Sequence, residues 1–207
     1  MIDTYVKVGG QYQPATMTLA TPEEMEQLDT WLDTYASDTT KGTVDALEYV
    51  DSSLEKHEKY TAYDRCPSAW LDFIDLASRD VEDEVAGLFV LKCGLLANEI
   101  LGFTFIRRNW DNSMVMDYLA RCPKSNKKLE QVSTIGVGLL FAICMLADRI
   151  GSPYFWWETT PLSYEFYHDI LNLAGVATRK DAPKSMLVVP RDSYLRLMTY
   201  LDSRHKT

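Results

Sequence analysis

Cysteine is scarce in this chain, histidine is scarcer, and long apolar runs are missing. Its four cysteines (Cys66, Cys93, Cys122 and Cys144) stand far apart among 207 residues, with no CxxC pair and no Cys/His cluster. That spacing argues against a disulfide framework and against a metal site, so no metal is expected. The longest apolar stretch, Ile135 to Ala147, has 13 residues, and a bilayer span needs about 20. The opening Met1-Ile2-Asp3-Thr4-Tyr5 has no basic stretch followed by an apolar run, so it does not read as a signal peptide. A cytoplasmic chain with reduced thiols and no membrane attachment is the expectation. Basic side chains are outnumbered, 21 against 30 acidic, for a net charge of −9. Such a surface repels phosphate backbones, which argues against general nucleic-acid binding, and it favours cationic partners.

What is present is an ordinary globular balance, with 46% hydrophobic and 25% charged residues. Twelve tyrosines, seven phenylalanines and five tryptophans supply bulk for a core. No repeat or low-complexity tract divides the chain, so residues 1–207 are expected to form a single domain. Residues 1–14 read as a loose lead-in or an edge strand, and 202–207 as a frayed tail. Ala15 to Ala20 alternates like a strand. Thr21-Pro22-Glu23-Glu24 then announces a helix, with a Thr cap, Pro in the first turn and acids near the positive end of the dipole. Further helices are expected over Val44 to Tyr60 and Ala69 to Ala77. Three strands follow, over Glu84 to Cys93, Ile100 to Ile106 and Ser113 to Cys122, and their short connections imply an antiparallel meander. A long apolar helix from Gly136 to Ile150 leads to a strand at Tyr154 to Glu158. That strand–helix–strand order implies a parallel pair. A helix over Leu162 to Leu173, a strand over Lys184 to Val189 and a helix over Ser193 to Leu201 close the chain. The fold class is mixed α/β (α+β), with a mostly antiparallel sheet flanked by helices.

The segment that points to chemistry is Gln131-Val132-Ser133-Thr134-Ile135-Gly136-Val137-Gly138-Leu139-Leu140. It lies between a strand and a helix. Glycines let backbone approach a ligand, and a helix N-terminus offers unpaired N–H groups, which together suit a pyrophosphate. The third glycine of a dinucleotide fingerprint is missing, and so is the Gly-Lys-Ser/Thr of a Walker loop.

In its order of elements and in this loop, the chain resembles the GNAT superfamily of N-acetyltransferases. The family's acetyl-CoA loop reads Gln/Arg-x-x-Gly-x-Gly/Ala, commonly followed by x-x-Leu-Leu. Gln131, Gly136, Leu139 and Leu140 fall on that pattern, and Thr134 stands where the first glycine would be. Leu101-Gly102-Phe103 is similar to the family's third strand, and the segment from Ser163 to Leu171 to its region after the fifth.

The resemblance implies a parallel strand pair that splays at the cofactor site. It implies acetyl-CoA as acyl donor and an amine, cationic by the charge argument, as acceptor. The backbone of Tyr118-Leu119-Ala120-Arg121-Cys122 would receive the acyl arm. The amides from Val132 to Gly138 would cradle the pyrophosphate, with Lys127 or Lys128 near the adenosine phosphates. Tyr167 matches the tyrosine that protonates the coenzyme A sulfur. Asp117, Glu158 or a water chain would serve as base. Relatives are often homodimers. The alternatives left open are a non-catalytic acyl-CoA-binding or protein-interaction module, and transfer of a longer acyl group.

Overall fold

The chain begins with a β-hairpin rather than a loose lead-in. In the computed structural model, which describes all residues except 80–82, 98, 127–128, 162, 177–184 and 206–207, β1 (Ile2–Val8) turns back on β2 (Gln11–Leu19). Gly9 and Gly10, at φ +58° and +84°, make the two-residue turn, a left-handed conformation that suits the twist of paired strands. Ile2, Thr4 and Val6 alternate into the interior, and this burial orders a segment whose outward positions are polar.

Helix α1 (Pro22–Thr34) starts as its sequence requires. The Thr21 hydroxyl accepts from Glu24 N at 3.3 Å, and Glu24 Oε2 accepts from Thr21 N at 2.9 Å, which satisfies two donors the first turn would leave unpaired. Helices α2 (Lys41–Ala62) and α3 (Trp70–Ser78) follow. The strands β3 (Val85–Cys93), β4 (Gly102–Arg108) and β5 (Met114–Arg121) pair antiparallel in succession.

A two-residue strand, β6 (Val132–Ser133), precedes α4 (Ile135–Arg149) and pairs with β1. Then come β7 (Tyr154–Glu158), α5 (Tyr164–Leu173), β8 (Met186–Pro190) and α6 (Arg191–His205). The helix α6 continues through residues 202–205, where a frayed tail was expected, because fully buried Tyr194, Leu197 and Leu201 pin it to the core.

The sheet has eight strands in the order β6-β1-β2-β3-β4-β5-β7-β8, and β5–β7 is its parallel pair. Both faces are covered. Phe103 packs edge-on against Trp31 of α1, and Phe105 meets Tyr60 of α2. The neighbouring Gly102 points the other way, as strand alternation demands. A Cβ there would lie 2.6 Å from Ala120 O and 2.9 Å from Ile135 of α4, so only glycine fits between strand and helix.

One irregularity positions the site. Phe105 pairs with Tyr118 but Ile106 pairs with Met116, so Asp117 is an extra residue with no partner on β4. Such a bulge bends the strand and re-aims side chains. At the same point β5 leaves β7. Met114, Val115 and Met116 pair with Phe155, Trp156 and Trp157, and beyond them β5 runs on to Arg121 without a β7 partner.

Candidate functional site

The splay between β5 and β7 opens a cleft of about 430 Å³. Its walls are β5 from Met116 to Arg121, the first turn of α4 from Thr134 to Val137, Phe166 and Tyr167 of α5, and Ala46 and Tyr49 of α2. It therefore gathers most of the residues singled out in the sequence, among them Tyr118, Leu119, Ala120, Ile135 and Gly136.

The helix start on the cleft is unusual. Thr134 sits at φ +62°, ψ +17° and makes no side-chain cap bond, although threonine is a good capping residue. Its hydroxyl instead accepts from Lys7 N of β1 at 3.0 Å. The left-handed backbone here explains why glycine would suit the position, and it is costly for a β-branched residue. Gly138 N bonds back to Thr134 O at 2.9 Å, so the amides of Ile135, Gly136 and Val137, one turn earlier, have no partner within the helix.

The two glycines of this turn do different things. Gly136 faces the cleft, where a Cβ would meet Phe166 at 3.2 Å. Gly138 faces β1, where a Cβ would lie 2.6 Å from Tyr5 O. Its carbonyl accepts from the Thr4 hydroxyl at 2.8 Å. Gly138 is thus a packing residue off the cleft. Val132 and Ser133 form β6, paired with β1, and the Gln131 carbonyl accepts from Gly9 N at 3.1 Å. None of Gln131, Val132 and Ser133 lines the cleft. Lys127 and Lys128 lie outside the described residues.

Three candidate catalytic side chains converge on the cleft, in contrasting environments. Tyr167 is buried, its ring 5.2 Å from Trp157 and 5.0 Å from Phe166. Burial, helped by Tyr49, pushes its phenol well above the ordinary value, so it stays protonated at neutral pH. Asp117 accepts from Arg107 Nε and Nη2 at 2.7 and 2.9 Å and from Lys56 Nζ at 2.9 Å. Burial acts to raise its pKa, but the Arg107 and Lys56 bonds outweigh it and hold the carboxyl below the usual range. A carboxylate so paired is a poor base. Glu158, at the end of β7, is exposed and makes no hydrogen bond or ion pair with a described residue.

Asp117, Tyr118, Met116 and Glu158 also wall a second chamber of about 210 Å³, completed by Lys56, Arg107, Val115 and Trp156. A third hollow, of about 510 Å³, adjoins the cleft through Gly42 and Arg121 and holds Cys122 and Lys124. The Cys122 thiol is buried and pushed up by that burial, which disfavours the reactive thiolate.

Sequence reasoning missed Tyr49, Lys56 and Arg107. Tyr49, Ser53, Lys56 and Tyr60 recur at helical spacing in α2, and Tyr49 and Tyr60 meet the aromatic side chains Tyr118 and Phe105. That stripe was the available signal. Among the described residues, no group of three or more His, Cys, Asp or Glu side chains is placed to hold a metal ion.

No protein-family model matches the chain, and no curated protein sequence does. Solved structures do. FdhC in its apo form, described as a nucleotide-linked sugar GNAT, aligns with a TM-score of 0.54 at 7% identity, over 98% of this chain and 97% of that one. A chimeric spermidine N-acetyltransferase, SpeG, from Vibrio cholerae and hSSAT aligns with a TM-score of 0.50 at 9% identity, over 87% and 98%. A nourseothricin acetyltransferase matches over only 65% of its own length and 51% of this chain, at 17% identity and a TM-score of 0.34. The fold is that of the GNAT acetyltransferases. Identities this low speak for the fold alone.

Proposed function

We propose that the protein is an acyl-CoA-dependent N-acyltransferase that moves acetyl from acetyl-CoA to a primary amine. The observation that carries this reading is the uncapped start of α4 at the open splay. The three residues with unpaired amides wall one end of the cleft, Gly136 presents no side chain to fill it, and the capping hydroxyl is turned away to β1. An anion is the natural partner of such a helix end, and a pyrophosphate fits there. The pantetheine arm then follows the free edge of β5 from Arg121 toward Tyr118 and brings the thioester to the bulge.

Acetyl-CoA supplies an activated acyl group, and the chain supplies proton handling and orientation. Glu158, exposed and with no partner for its carboxylate among the described residues, takes the proton from the acceptor's ammonium and passes it to solvent. The free amine attacks the thioester carbonyl, the C–N bond forms and the C–S bond breaks. Tyr167 gives its phenolic proton to the leaving sulfur and recovers one from the nitrogen. Such positioned acid–base help contributes roughly 10²–10⁴ in rate. Asp117 holds Arg107 and Lys56 in place and does not act as the base.

A thermal-shift titration with acetyl-CoA and coenzyme A tests the binding half. A ligand at 100 times its Kd stabilises the native state by about 2.7 kcal/mol, and Gly136→Leu should abolish the shift. Release of coenzyme A in the presence of amines tests the chemistry. Tyr167→Phe should lower kcat by about 10²-fold or more while keeping the acetyl-CoA shift. A shift without turnover of any amine would favour a non-catalytic acyl-CoA-binding module.

A further inference from the structure

The geometry points to an acceptor that carries a carboxylate as well as the reacting amine, a small zwitterion of amino-acid type held in the 210 Å³ chamber. This rests on the acyl-transfer reading and adds the chemical class of the acceptor. The chamber meets the cleft at the bulge, where Asp117, Tyr118 and Glu158 wall both spaces. A molecule there reaches the thioester from the α2 side.

Its charges are unevenly committed. Arg107 is spent on Asp117 through Nε and Nη2 and on Glu84 through Nη1 at 2.9 Å. Asp117 is likewise occupied by Arg107 and Lys56. Among the described residues, Lys56 Nζ makes one hydrogen bond, to Asp117, and lies 4.7 Å from the Tyr118 ring centroid. An ammonium has three donors, so two are left. Glu158 brings a carboxylate with no partner among the described residues.

Lys56 and Glu158 thus line one small chamber with opposite charges and do not pair with each other. A zwitterion joins them, its carboxylate accepting from Lys56 Nζ and its amine delivered to Glu158, the base. A diamine would set a second cation beside Lys56, and a plain amine would leave those donors facing no acceptor. Size agrees, since a chamber of about 210 Å³ admits a small amino acid. Half-buried Trp156 and buried Val115 offer an apolar wall to the methylenes between the two charged ends.

Coenzyme A release from acetyl-CoA is measured with glycine, β-alanine and 4-aminobutyrate. Each is compared with its own amide, and 1,4-diaminobutane is included. The best acid should exceed its amide by roughly tenfold or more in kcat/KM, mainly through KM, as for one charged hydrogen bond. Lys56→Met should erase that ratio and Lys56→Arg should restore most of it. A purely structural Lys56 would lower acid and amide alike and keep the ratio, which would overturn the inference. Preference for the diamine or the amides would overturn it too. The acetyl-CoA thermal shift on the same preparations separates the two readings. A shift without preference for any acid sinks this inference alone, and no shift removes the acyl-transfer reading with it.

Discussion

Asp117 and Glu158 are both carboxylates on strands at the splay, and their sequence contexts do not rank them as bases. Their partners do. Two cations on β4 and α2 bind Asp117, so its folded pKa lies below the ordinary 3.8. A depressed carboxylate contributes stability that is present above its unfolded pKa and is lost as pH falls through the folded value. Stability measured by denaturant titration should therefore fall between about pH 4 and the folded value, and Asp117→Asn should flatten that part of the profile. At neutral pH the same variant should cost about 1–3 kcal/mol, because it leaves half-buried Arg107 and the more exposed Lys56 short of their partner. An unchanged acid limb in the variant would assign the pH dependence to other groups. Neither Arg107 nor Lys56 was legible as a partner, since 10 and 61 positions separate them from Asp117 and only the fold brings them together.

At the scale of elements, the loop before α4 takes its shape from β1, far away in sequence. Thr4 reaches Gly138 O, Lys7 N reaches the Thr134 hydroxyl, and Gly9 N reaches Gln131 O. These bonds fix the helix start and hold the Thr134 side chain off the α4 amides. The sequence displayed the Gly-x-Gly pair but not the division of labour within it. Gly138→Ala would drive a methyl to 2.6 Å from Tyr5 O, backbone that cannot move aside cheaply. It should destabilise the protein by about 1–3 kcal/mol, the usual cost of overpacking, as read from the denaturant midpoint. A neutral result would show that the hairpin is free to shift. The hairpin was itself underread. Gly9-Gly10 between alternating residues is a strong turn signal, and the polar outward positions masked it.

At the scale of the whole molecule, a continuous set of buried side chains runs from Ile2 on β1 to Leu201 on α6. Both sheet faces and all six helices contribute to it. We expect one cooperative unfolding transition, with far- and near-ultraviolet circular dichroism giving the same midpoint. Two separated midpoints would show that the chain contains two units.

The order of helices and strands, the meander and the parallel return after α4 followed from the sequence alone, because periodicity, caps and turn residues are local and each element carries its own signal. That the α4 entry and Tyr167 line one cleft was suggested only by the family resemblance. The tertiary structure alone decided where β5 bulges and leaves β7, which carboxylate is held by two cations and which has no partner among the described residues, and which glycine faces the cleft. Those depend on contacts between residues distant in the chain, where packing and charge pairing act through space and leave no local pattern to read.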